Sequence, residues 1–123
     1  MAQLEIALKE AMNITGAIGV ALVDYDSGMM LGSAGGGAAL DLEIAAAGNT
    51  EVVRAKMNTM QQLGLKEKIE DILITLDSQY HLIRLVDDSK APGLFFYLAL
   101  NKSQANLAMA RRQLSAIESE LSL

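Results

Sequence analysis

The sequence has no cysteine and no tryptophan, and only one proline and one histidine. Without cysteine there is no disulfide, no thiolate metal site and no thiol nucleophile. The absence also fits a reducing compartment. Aromatic residues are 4% of the chain, so Leu, Ile, Val, Ala and Met must fill the core. Ten basic against fifteen acidic residues leave a net charge of −5, the wrong sign for a general nucleic-acid binder. Long apolar runs are missing too. Ala11–Val23 and Ser27–Leu40 are uncharged, but Asn, Thr, Ser and Gly interrupt them. Each falls short of the roughly 20 apolar residues that cross a bilayer. Glu5 and Glu10 among the first ten residues argue against a secretory leader. A soluble cytoplasmic protein is expected, with neither nucleic acid nor membrane as a partner.

What is present is hydrophobic: 51% of 123 residues, with a mean hydropathy of +0.25. The length suits a single domain over residues 1–123 with one core. A chain this apolar either covers much of its surface with a partner or carries an exposed patch.

Leu4, Ala7, Leu8 and Ala11 recur at helical steps, which predicts a helix from Ala2 to Asn13. Gly16 to Asp24 alternates as a strand. Its Ala17, Gly19, Ala21 and Val23 face is flat enough for a helix to lie close. Asp26-Ser27-Gly28 has hairpin chemistry. Met29 to Ala34 reads as a poor edge strand, because Gly32 interrupts it. Gly35-Gly36-Gly37 reads as a flexible connection to a long helix capped by Asp41 and ended by Gly64. Leu42, Ala46, Val53, Met57 and Met60 form its inward stripe. Ala45, Val52 and Leu63 make a second apolar shoulder, more than one sheet face consumes. Gly48-Asn49-Thr50 predicts a bend or restart.

Glu67 to Asp77 and Tyr80 to Asp87 form the next hairpin, turning at 77–79. Leu94 to Leu100 is the most apolar strand and belongs in the sheet's centre. The last helix, capped near Asn101 or Ser103, carries Leu107, Ala110, Leu114, Ile117 and Leu121 at three-four spacing. Arg111, Arg112, Glu118 and Glu120 are left for water. The order is α-β-β-α-β-β-β-α, an α+β fold with a five-stranded, mainly antiparallel sheet and helices on both faces. Within it, Asp71-Ile72-Leu73-Ile74-Thr75-Leu76 is apolar on both sides and needs cover above and below. At a sheet edge, its unpaired backbone groups would template a second chain.

No chemistry in the sequence names a reaction. The segment Gly32–Gly37 precedes a helix, where phosphates bind, but it continues Ala38-Ala39-Leu40 instead of Gly-Lys-Ser/Thr. Asp24 to Gly28 opens like a calcium loop. Yet its fifth position is Gly28 and its twelfth Gly35, where a bidentate Glu is required. His81 has no predictable carboxylate beside it and reads as a structural or surface histidine. Ser78, His81 and Asp77 crowd into one turn with no nucleophile elbow. No catalytic residue, metal or cofactor is expected. Met29 and Met30 flank the weak strand, and methionine often lines adaptable surfaces, but Met57 and Met60 at helical spacing read as core. Arg54, Asn58 and Gln61, on the long helix's polar flank, are a candidate partner-facing patch.

The stretch Ala21-Leu22-Val23-Asp24-Tyr25-Asp26-Ser27-Gly28 resembles the first hairpin of the roadblock / dynein light chain family. Asp71–Leu76 followed by Tyr80-His81-Leu82-Ile83-Arg84 resembles its central hairpin. Ala105-Asn106-Leu107-Ala108-Met109-Ala110-Arg111 is similar to the last helix of its bacterial members. The resemblance implies a roadblock/profilin-like sandwich, with the first hairpin joined beside the fifth strand. It further implies pairing through the third strand and the second helix. Here those contacts fall on Ala45, Val52, Leu63, Asp71, Ile72, Leu73, Ile74, Thr75 and Leu76. Family members lack a catalytic centre and act as dimeric platforms, in bacteria commonly with Ras-like small GTPases. Some raise the GTPase's hydrolysis rate and others are adaptors. A homodimeric, non-enzymatic regulator or adaptor of such a GTPase is therefore expected. The alternative is a dimeric scaffold whose binding does not depend on nucleotide.

Overall fold

A computed structural model describes residues 3–123. Ala2, the expected start of the first helix, lies outside them. In chain order the elements are α1 (Leu4–Met12), β1 (Ala17–Asp24), β2 (Met30–Gly35), α2 (Leu42–Gln62), β3 (Asp71–Thr75), β4 (Gln79–Leu85), β5 (Leu94–Asn101) and α3 (Leu107–Glu120). A single 3-10 turn, Gly37–Ala39, leads into α2. The strands form one sheet in the order β2-β1-β5-β4-β3, with every neighbouring pair antiparallel. The first hairpin thus joins beside the fifth strand, as the resemblance implied, and β2 and β3 are the edges.

Strand alternation sends two sets of side chains to opposite faces. Val20, Leu22, Leu82, Phe96 and Leu98 pack with Ala7, Leu8 and Ala11 of α1 and Ala110, Leu114 and Ile117 of α3. Ala21, Val23, Ile83, Phe95 and Tyr97 pack with Leu42, Ala46 and Val53 of α2. Both faces are covered, so β5 at the centre is buried from Leu94 to Leu100. The fold is α+β, a three-layer sandwich.

Asp41 caps α2, its carboxylate accepting from the backbone N–H groups of Glu43 and Ile44 at 3.0 and 3.2 Å. The helix then runs unbroken for 21 residues, without the expected bend at Gly48-Asn49-Thr50. Asn49 donates from its amide to the Ala45 carbonyl at 2.8 Å, and the Thr50 hydroxyl to that of Ala46 at 2.7 Å. Such back-bonding lets polar residues sit in a helix interior. Thr50 lies four residues after Ala46 and three before Val53, and it is buried with them.

The glycine run is not merely a loose connection. Gly35 and Gly36 take φ of +74° and +81°. A Cβ on Gly35 would lie 2.6 Å from the Ile18 carbonyl oxygen, and one on Gly36 would lie 2.7 Å from that of Leu40. Only glycine can turn the chain this tightly against β1. The cap of α3 also differs from expectation. Asn106, not Asn101 or Ser103, accepts from the Met109 N–H at 3.1 Å. The Asn101 side chain is instead committed to the turn after β5, accepting from the Ser103 N–H and hydroxyl.

Two charged residues assigned to water are tied down. Glu118 is buried, and its carboxylate accepts from Arg84 Nε and from the Asp87 backbone N–H at 2.9 Å. Arg111 donates to the Asp71 carboxylate at 3.0 and 3.3 Å. These pairs pin α3 to the outer hairpin.

Candidate functional site

The hairpin's outer strand is shorter than the sequence suggested: β3 holds Asp71 to Thr75, and Leu76 is exposed in the turn, its N–H donating to the Gln79 carbonyl. On its inner side β3 is paired with β4, Ile72 opposite Ile83 and Ile74 opposite His81. Its outer side is a rim of the sheet. Leu73 points into the α1/α3 core, and Ile72 packs at the margin of the α2 core. Asp71, Ile72, Leu73 and Ile74 are half-buried and Thr75 exposed. A strand that presents apolar residues and an unpaired backbone edge has the features that favour pairing with another chain.

Helix α2 packs on one face of the sheet, against side chains of β1, β5 and β4. Its shoulder is open: Val52 is 36% exposed and Leu63 66%, with Ala45 half-buried. By helical spacing these three lie on one flank, and Arg54, Asn58 and Gln61 on the other. All of the latter are exposed. The chain therefore does not bring the shoulder against β3 within itself. The two lie on the same side of the sheet, where one partner could span both.

Between them sits His81. Its Nδ1 lies 3.2 Å from the Tyr97 hydroxyl and its Nε2 lies 2.8 Å from Gln79 Oε1. The neutral tautomer with its proton on Nε2 satisfies both contacts, since Tyr97 then donates and Gln79 accepts. The rings of His81 and Tyr97 meet edge-on, centroids 5.3 Å apart. Burial lowers the His81 pKa below its usual 6.5 and pushes that of Tyr97 up to about 12. The imidazole's partners are thus Gln79 and Tyr97, not the Ser78 and Asp77 of the adjoining turn.

A groove that the sequence did not announce opens at the corner where α2 ends, β3 begins and β4 ends. It encloses about 580 Å³, within the range of small-ligand and anchor pockets. Beyond Val53 the inward stripe becomes less buried, Met57 still packing against the margin of the α2 core. Met57 and Met60, expected as core, are only half-buried and line this groove with Tyr25, Leu65, Ile69 and Leu85. Gln61 reaches its wall, whereas Arg54 and Asn58 do not. Around the mouth stand Glu67, Glu70, Asp87 and Asp88. Tyr25 is raised above the usual phenol value by burial and then by the charges of Asp88, Asp26 and Asp24. Periodicity could not have found this site, because it arises where a helix parts from a sheet.

No family model matches the chain, and no curated protein matches it by sequence. Solved structures do. A Roadblock/LC7 domain from Streptomyces avermitilis superposes with a TM-score of 0.79 over 96% of this chain and 93% of its own, at 12% identity. MglB of Myxococcus xanthus gives 0.74 over 94% and 85%, at 17% identity. An MglB with a tetrameric arrangement gives 0.67 over 94% and 88%, at 16% identity. The chain has the roadblock/LC7 fold. Among the described residues no helix is long and apolar enough to cross a membrane.

Proposed function

We propose that this chain is a homodimeric, non-enzymatic regulator or adaptor of a small Ras-like GTPase, acting in the cytoplasm. The observation that carries the reading is the pairing of a bare, apolar strand rim at β3 with an uncovered apolar shoulder on α2, both on one side of the sheet. Two copies joined rim to rim extend one sheet into the other and bury Ile72, Ile74, Leu76, Ala45, Val52 and Leu63 against their counterparts. An interface of this kind is isologous, each patch meeting itself. A likeness to roadblock proteins, one of them in a tetrameric arrangement, supports self-association. The partner surface is the polar flank with Arg54, Asn58 and Gln61. It would shift the GTPase between its switch conformations by differential contact, without donating or accepting a proton.

Calorimetric titration with the host's Ras-like GTPases, loaded with GDP and with a GTP analogue, tests this. Preference for one loaded state is the expected result. Equal affinity for both states would favour a scaffold, and no binding to either would refute the partnership. Sedimentation at low micromolar concentration tests the dimer separately.

A further inference from the structure

We infer that the groove at the end of α2 is a docking site for a short basic amphipathic segment of another protein, apolar side chains inward and Lys or Arg outward. The inference goes beyond the GTPase reading and requires neither the dimer nor a nucleotide.

Three features specify that occupant. The floor is apolar and deformable: Met57 and Met60 are unbranched and half-exposed, and Leu65, Ile69 and Leu85 continue it. Methionine-lined surfaces repack around varied apolar anchors. The mouth is mostly acidic. Glu67, Glu70, Asp87 and Asp88 are all exposed there, facing Lys68. The other cation, Arg84, is already committed to Glu118, and Lys90 nearby donates to the carbonyls of Ser119 and Leu121. At the groove's edge the Tyr25 phenol is raised above its usual value by burial first and then by the charge of Asp88. An apolar floor under a carboxylate rim rejects acidic peptides and anionic lipid by like-charge repulsion, and it attracts cations flanking an apolar anchor. The backbone near the mouth is constrained, with the Asp87 carboxylate accepting from the Ser89 N–H at 2.9 Å and the Asp87 N–H held by Glu118. Asp87 is therefore held in place at the mouth.

The probe is a fluorescein-labelled amphipathic peptide of Leu and Lys at helical spacing. Two companions replace every Lys by Glu, or every Leu by Ser. Saturable binding of the Leu/Lys peptide alone is expected, weakening at least fivefold between 50 and 300 mM salt by counter-charge screening, roughly the behaviour of exposed ion contacts. The triple variant Glu67→Gln, Asp87→Asn, Asp88→Asn should lose about tenfold in affinity, and Met60→Lys should abolish binding. A matched control, Glu5→Gln, Glu10→Gln and Glu51→Gln, changes the net charge equally elsewhere and should bind like the parent. Methyl NMR locates the site: the Met57 and Met60 methyl signals should move on titration. Equal loss in both triple variants, or binding that leaves those methyls unmoved, would overturn the site. Equal binding of the Leu-free peptide would overturn the amphipathic requirement. Peptide affinity that falls as the protein's own concentration rises would assign the groove to a second copy and overturn the inference. Self-association and GTPase binding are scored independently, so failure there leaves this result readable.

Discussion

Leu63 offers the sharpest test of the assembly. It closes α2 with its side chain 66% exposed, on the flank it shares with Val52. Leu→Ala deletes about three methylene equivalents at roughly 0.8 kcal/mol each when they pass fully from water to protein. Only the part still wet in the isolated chain can be gained on association, so about 1.5 kcal/mol per copy is at stake. The symmetry of an isologous contact counts it twice, about 3 kcal/mol in all, or roughly a hundredfold in the dimer Kd. Sedimentation equilibrium across the micromolar range reads this directly. Met109→Ala is the control. Met109 is 48% exposed, but it belongs to α3 on the opposite face of the sheet, so its loss should leave the Kd unchanged. Neither variant should move the thermal midpoint of the monomer much, since exposed apolar side chains contribute little to folding. An unchanged Kd for Leu63→Ala, or equal weakening by Met109→Ala, would refute the assignment of this flank to the interface.

Glu118→Ala strands the Arg84 guanidinium in a mostly buried position and frees the Asp87 N–H. It should cost about 3 kcal/mol, a drop on the order of 10 °C in calorimetric Tm, while Glu118→Gln, which can still accept from that N–H, should cost less. His81 is held neutral by burial, so the unfolded chain binds the extra proton as pH falls through 6.5. Stability from this group is complete above about pH 6.5 and declines below it, toward the lowered folded value. The difference in urea midpoint between the parent and His81→Gln should therefore change between pH 7 and pH 5.5, and a constant difference would contradict the assignment. Gly35→Ala and Gly37→Ala both place a side chain at positive φ, but only the former drives it into a carbonyl and the Met12 side chain. Gly37→Ala should cost about 1 kcal/mol from the backbone alone, and Gly35→Ala clearly more; equal urea midpoints would show that the tight turn relaxes.

The sheet and its covering helices were legible because alternation and three-four spacing report which face of an element is apolar. Strand order was not in that signal. It followed only from likeness in the two hairpins, and the position of β1 beside β5 agrees with it. The charged contacts were partly legible. Glu118 sits four residues after Leu114 and three before Leu121, on the buried face, so the spacing contained a hint that its charge obscured. Its partner Arg84 is distant in sequence, and no local pattern could name it. Gly48-Asn49-Thr50 reads as a helix break, but Thr50 falls on the buried face and its bond to the Ala46 carbonyl keeps the helix continuous. Met57 and Met60 keep the helical spacing but are only half-buried, Met57 at the core's margin and both on the groove, a change that propensity and period do not register.

The two rims of the sheet are unlike. That of β3 is regular and apolar, whereas β2 is irregular, its register shifting opposite Leu22/Val23 before it runs into the glycine turn. A sheet with two equally adhesive margins could add subunits without end and grow into a fibre. Here one margin is blunted, so a copy joined at β3 would offer no second regular edge for growth.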